Sequence, residues 1–138
     1  MSIATQNIKN PEIPVSEIID NNKFTIFLRH DLIVQVQIKQ GHFFDVPDVT
    51  LVLEGIKKVS QGKKFPILAL YATNIGFSKK AKDIVAAHEL TVADALVTHD
   101  NWPIRVLANF YLKVNKPVRP TRIFGDEETA VAWLHTFL

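Results

Sequence analysis

The chain has 138 residues, 47% of them hydrophobic, which suits one domain able to bury roughly two thirds of its extended surface and leaves no room for a second independent core. A net charge of +2 is too small to mark a dedicated nucleic-acid binder, which gathers Lys and Arg on one face, and the lack of cysteine excludes disulfides, thiolate nucleophiles and thiolate metal sites. The opening MSIATQNIKNPEIPVSEIID has neither a basic start nor an apolar run, and no later stretch approaches the ~20 apolar residues of a membrane span, so the expected location is the cytoplasm.

Pro11 and Pro14, set among Asn and Glu, make residues 1–20 read as an extended arm, with a single α/β domain over 21–138. In KFTIFLRHDLIVQVQIK, Phe24, Ile26 and Leu28 alternate with Thr25 and Arg29, and Leu32, Val34, Val36 and Ile38 alternate with Gln35 and Gln37. This predicts a β-hairpin turning at Arg29-His30-Asp31, with one core face and one wetter face. In HFF, Phe44 is placed to staple the start of the next helix to the core.

Asp45 can cap that helix and Pro47 suits its first turn; Val49, Val52, Leu53, Ile56 and Val59 recur at helical spacing up to Gly62. FPILALY, Phe65 to Tyr71, is a short unbroken apolar run, as expected of a central parallel strand covered on both faces. Ser78 caps a second helix carrying Ala81, Ile84, Val85 and His88 on one face, and Asp94 to His99 supplies another strand. A third helix is expected from about Asn101 to Val114, stopped by Pro117 and Pro120. Thr121 to Phe124 then forms a last strand. Asp126 caps a final helix whose buried face is Ala130, Val131, Leu134, Phe137 and Leu138. The order is ββαβαβαβα, a mainly parallel layer with an N-terminal hairpin and right-handed βα units.

That order, together with PIRVLANFYLKVNKPVRPTRIFGDEETAVAWL, KKFPILALYA and the hairpin, resembles small bacterial proteins of the SpoIIAA-like, STAS-like class from about Lys23 to the C-terminus. The resemblance implies a small mixed sheet wound with helices and a non-enzymatic role in binding or regulation. Better-understood STAS relatives are anti-sigma-factor antagonists, switched by phosphorylation of a serine at the start of the helix after the central strand. Here Ser78 occupies that region, followed by Lys79 and Lys80 rather than an Asp-Ser-Ser-Gly type of pattern.

The sequence holds no phosphate-cradling glycine loop, Gly-x-Ser-x-Gly elbow or His-Glu-x-x-His helix, and neither a metal nor a cofactor is expected. Ser78, Lys79 and Lys80 could hold a phosphate or carboxylate at a helix start, where free N–H groups point outward. In the third helix Trp102, Ile104, Val106, Leu107, Phe110, Tyr111 and Val114 sweep about 200°, wider than the ~100° stripe one core contact needs. Either that helix is covered on two sides within the domain, or Trp102, Phe110, Tyr111 and Leu112 are candidates for a dimer interface or a ligand contact; His88, on the apolar face of the second helix, reads as a partly buried core, interface or ligand-contacting histidine. Lys113, Lys116, Arg119 and Arg122 read as a solvated basic linker.

The combined reading is a non-enzymatic binding or regulatory module of STAS-like type that self-associates as a dimer, with room for another protein partner. Three alternatives stand beside it. A carrier of a small apolar or lipid-like molecule needs a cavity between the sheet and its helices; a phosphoregulated switch needs phosphate on Ser78. An enzyme would need His88 or His99 within hydrogen-bond distance of Asp94 or Asp100.

Overall fold

The computed structural model describes residues 17–98 and 117–138. In chain order these form β1 (Ile18–Asp20), β2 (Phe24–Leu28), β3 (Val34–Ile38), β4 (Phe43–Phe44), α1 (Val46–Ser60) and β5 (Phe65–Tyr71). There follow β6 (Gly76–Phe77), α2 (Lys79–Ala87), β7 (Thr91–Val97), β8 (Thr121–Phe124) and α3 (Glu127–His135). The helix expected over 101–114 lies outside the described residues.

The hydrophobic alternation produces the hairpin. β2 and β3 pair antiparallel, Phe24 opposite Ile38 and Leu28 opposite Val34; Phe24, Ile26, Val34, Val36 and Ile38 enter one core layer, while Gln35 and Gln37 take the other, wetter face. The turn departs from the expected three residues. Leu32 does not open the second strand: its φ of 65° is left-handed and its side chain is exposed. Arg29 N–H donates to Ile33 O at 2.8 Å, and Leu32 N–H to Arg29 O at 3.0 Å. The loop therefore runs to Ile33, which is fully buried on the opposite side of the sheet with Leu68 and Leu134. Alternation alone cannot see that one residue of an apolar pair has been spent on the turn.

β3, β5, β7 and β8 continue the sheet in parallel, giving the order β1-β2-β3-β5-β7-β8. The unbroken run of β5 has the predicted consequence, a central strand buried on both sides: Ile67 and Ala69 belong to one core layer and Leu68 to the other. Pro66, buried and without an N–H to donate, coincides with a register shift between Phe65 and Ile67 against β7. At the opposite edge Ile18–Asp20, the last residues of the stretch read as an arm, pair with β2. β4 and β6 form a separate two-stranded parallel ribbon, too short for any periodicity to reveal. Phe44 of this ribbon is fully buried and stacks on Phe77 at 5.0 Å, so it does staple α1 to the core.

α1 and α2 cover the layer that contains Ile26, Val36, Ile56, Ile67 and Ala81, while α3 covers the opposite face through Ala130 and Leu134. Each helix starts where a side chain can satisfy its free N–H groups. Asp45 accepts from Val46 N–H at 2.8 Å and Asp48 accepts from Asp45 N–H at 2.9 Å; Ser78 accepts from Ala81 N–H at 3.1 Å; Asp126 accepts from Thr129 N–H at 2.7 Å. The fold is the α/β class expected, a mixed sheet with an N-terminal hairpin and helices on both faces.

Candidate functional site

The most polar feature of the core lies where α2 ends and β7 begins. β7 reads TVADALV, an apolar strand interrupted by one carboxylate, and Asp94 is buried. A lone charge in such a place needs a partner, and Arg119 supplies it. Arg119 Nε and Nη2 donate to Asp94 Oδ2 at 2.7 and 2.6 Å. The remaining guanidinium donors reach Ala86 O and His88 O, both at 3.0 Å, and Val85 O at 2.8 Å. These carbonyls belong to the end of α2, which lacks intrahelical partners and carries partial negative charge. Thr91 Oγ1 donates to Asp94 Oδ1 at 2.6 Å, so both carboxylate oxygens are engaged.

This corrects the reading of Arg119 as part of a solvated linker. It is 8% exposed, because the chain returns past the end of α2 on its way into β8: Val118 N–H donates to Ala86 O at 3.3 Å and Asp94 N–H to Pro120 O at 2.9 Å. Arg122, from the same basic string, lies with its guanidinium carbon 5.2 Å from the Phe124 ring centroid and 5.6 Å from that of Trp133. The signal that could have revealed the buried pair was Asp94 itself, an acid within an apolar strand.

His88 stands beside this pair. Helical spacing places it with Ile84 and Val85, but α2 stops at Ala87 and His88 is its extended C-cap, with φ −68° and ψ 154°. Its side chain is buried, 7% exposed. Leu90 N–H donates to His88 Nδ1 at 3.2 Å, and Nε2 lies 3.8 Å from Asp94 Oδ2, outside hydrogen-bond distance. Burial, reinforced by the Arg119 charge and only partly opposed by Asp94, pushes the imidazole down to about 4. The ring is neutral at pH 7.

Between the sheet and the two helices above it lies a cavity of about 50 Å³. Val36, Ile67, Ala69 and Leu96 form its floor, Val52 and Ile56 of α1 and Val85 of α2 its roof, and Tyr71 and Phe77 also line it. His88 and Asp94 are its polar residues apart from the tyrosine. The volume exceeds the ~10–15 Å³ one water needs and falls short of a ~150 Å³ cavity that holds benzene. Small β-branched and alanine side chains leave this space: the sheet places Ala69 between the parallel neighbours Val36 and Leu96, where a larger residue would have filled it.

Ser78 has a different neighbour from the one anion binding would require. Its hydroxyl donates to Asp45 Oδ1 at 2.8 Å while accepting from Ala81 N–H, which joins the starts of α1 and α2. The Ser78 hydroxyl, with Val46 N–H, holds the Asp45 carboxyl below the usual carboxylate range. A carboxylate of the chain thus already stands at this helix start. Lys79 is paired with Asp83 at 3.3 Å, and Lys80 is exposed. Trp102, Phe110, Tyr111 and Leu112 lie outside the described residues, as do His99 and Asp100. Among the described residues no three His, Asp or Glu side chains converge so as to hold a metal ion, and no helix is long and apolar enough to cross a membrane.

Fold and site together define a small mixed α/β domain with an apolar cavity beside a buried ion pair. The chain belongs to the family described as a domain of unknown function, DUF7793, whose pattern it matches over residues 26–138. Among solved structures it is similar to an uncharacterised protein of the DUF3478 family from Shewanella loihica PV-4, which is described as having a SpoIIAA-like fold. The identity is 18%, the match covers 87% of this chain and 91% of that one, and the TM-score is 0.47. No curated protein matches the chain.

Proposed function

We propose that this domain is a non-enzymatic binding module whose site is the cavity between the sheet and α1 and α2. The observation that carries this reading is the combination of an apolar lining with His88 and Asp94 at one place in the wall, the composition by which small-molecule pockets combine affinity with orientation. The non-enzymatic part rests on the state of the polar groups. Both Asp94 oxygens are engaged by Thr91 and Arg119, and His88 Nε2 is 3.8 Å from that carboxylate, so the pair lacks the hydrogen bond by which an acid orients a catalytic base.

Native mass spectrometry of freshly purified protein tests the reading, coupled with methyl NMR under xenon pressure, since apolar cavities take up xenon. A reproducible non-covalent adduct is expected in the wild type and absent from Val52→Phe, which fills the cavity. Xenon is expected to shift the methyl signals of Val52, Ile67 and Leu96 while leaving those of Ile33 and Leu68, on the other side of the sheet, in place. Adduct-free protein whose cavity methyls ignore xenon would overturn the proposal.

A further inference from the structure

The chemistry of the cavity wall narrows what it can hold. Leu90 N–H donates to His88 Nδ1, so the lone pair of the neutral ring is on Nδ1 and its proton on Nε2. Among the described residues Nε2–H meets no acceptor at hydrogen-bond distance; the Asp94 oxygen is 3.8 Å away. Within the described residues it is a donor in the cavity wall, its direction set by the backbone. We infer that the cavity selects uncharged molecules with a short apolar body and one hydrogen-bond acceptor, a carbonyl or ether oxygen, held by His88 Nε2–H. This rests on the cavity being a ligand site, as proposed above.

Each competing class meets an obstacle in this wall. A carboxylate or phosphate would face Asp94, and Arg119 cannot turn to compensate, because its donors are engaged by Asp94 and the carbonyls of Val85, Ala86 and His88. An ammonium group would lose its water without gaining a carboxylate, since Asp94 is already neutralised by Arg119 and bonded by Thr91. A pure hydrocarbon fits the lining yet leaves Nε2–H without a partner. The ~50 Å³ volume restricts the buried part of the ligand to a few non-hydrogen atoms.

Three probes of matched size and branching decide the matter: butan-2-one, 2-methylbut-1-ene and propionate. Each is titrated against the full chain while the methyl signals of Val52, Ile67 and Leu96 are followed by NMR. The ketone and the alkene are expected to shift them; propionate is not. In His88→Leu the ketone is expected to weaken about ten-fold, the loss of one buried hydrogen bond, while the alkene stays within about two-fold, and His88→Gln, which keeps a donor, is expected to restore the ketone. In the wild type the His88 Nε2–H proton itself is expected to move with the ketone and not with the alkene, a readout that survives any failure of the variants to fold. Equal responses of ketone and alkene to His88→Leu, an Nε2–H signal indifferent to the ketone, or cavity shifts produced by propionate would overturn the inference while leaving the cavity a ligand site. Wild-type methyls that respond to none of the probes would overturn both.

Discussion

Gly55 of α1 stands against Ile26 of β2 with no space between them for a methyl group: a Cβ on Gly55 would lie 2.8 Å from Ile26 Cδ1 and 3.4 Å from Ile19 Cδ1. Ile26 is fully buried, so its terminal methyl has no solvent to swing into. This contact lets α1 lie close on the edge of the sheet formed by β1 and β2. Gly→Ala in a helix interior ordinarily stabilises by about 0.8–1 kcal/mol; here overpacking of about 1–3 kcal/mol opposes it. Gly55→Ala is therefore expected to lose about 1 kcal/mol in urea unfolding. In an Ile26→Val background, which removes Cδ1, the same change is expected to become stabilising. An equal effect in the two backgrounds would show that the helix does not rest on Ile26.

Arg119 ties together three parts of the chain, α2, β7 and the approach to β8, and breaking one side of a buried pair leaves an uncompensated charge. Arg119→Met is expected to cost about 3–5 kcal/mol, measured by denaturant midpoint at constant slope. The double variant Arg119→Met with Asp94→Leu removes the stranded carboxylate and is expected to recover part of that loss. Additive losses in the double variant would mean the two side chains do not act as a pair.

Local and distant contacts differ in how far they could be read from the residues alone. Local signals carried well: the alternation within Phe24–Leu28 and within Val34–Ile38, and the caps at Asp45, Ser78 and Asp126, depend on neighbours within a few positions and appear where the spacing puts them, whereas Leu32, expected to open the second strand, is spent on the turn. Arg119 is bonded to a residue 25 positions away and to carbonyls more than 30 positions away. Set between Pro117 and Pro120 among other basic residues, it has the local composition of an exposed linker, and only the path of the chain past α2 buries it. Helical spacing puts His88 on the apolar face with Ile84 and Val85, but the helix ends at Ala87, which changes where the ring points. The cavity is less legible still, because it comes from small side chains on strands and helices that meet only in three dimensions.

Ser78 is expected to be a joint between helix starts. Ser78→Ala removes the α2 cap and the hydroxyl that donates to Asp45, and should cost about 1 kcal/mol. The Asp45 carboxyl should titrate higher in the variant, because the hydroxyl that does most to hold it low is gone. Carboxylate-resolved NMR titration checks this; an Asp45 that titrates as in the wild type would break the proposed link between α1 and α2.

The pH dependence of stability should carry the mark of His88. Burial and Arg119 push its folded value from 6.5 down to about 4, so between those limits the unfolded chain takes up a proton that the native protein does not. Stability therefore rises with pH through this window and is lost as pH falls, by about 3 kcal/mol for a shift of this size. The lowered Asp20, Asp45 and Asp48 act in the same direction, chiefly below 3.8, where the unfolded chain takes up protons that the native carboxylates do not, so most of their loss falls beneath the His88 window. Urea unfolding of the wild type across pH 4 to 6.5 is expected to show the slope, and His88→Gln is expected to flatten it while leaving the loss at lower pH. A variant that keeps the wild-type slope would mean that His88 is not the group held neutral in the core.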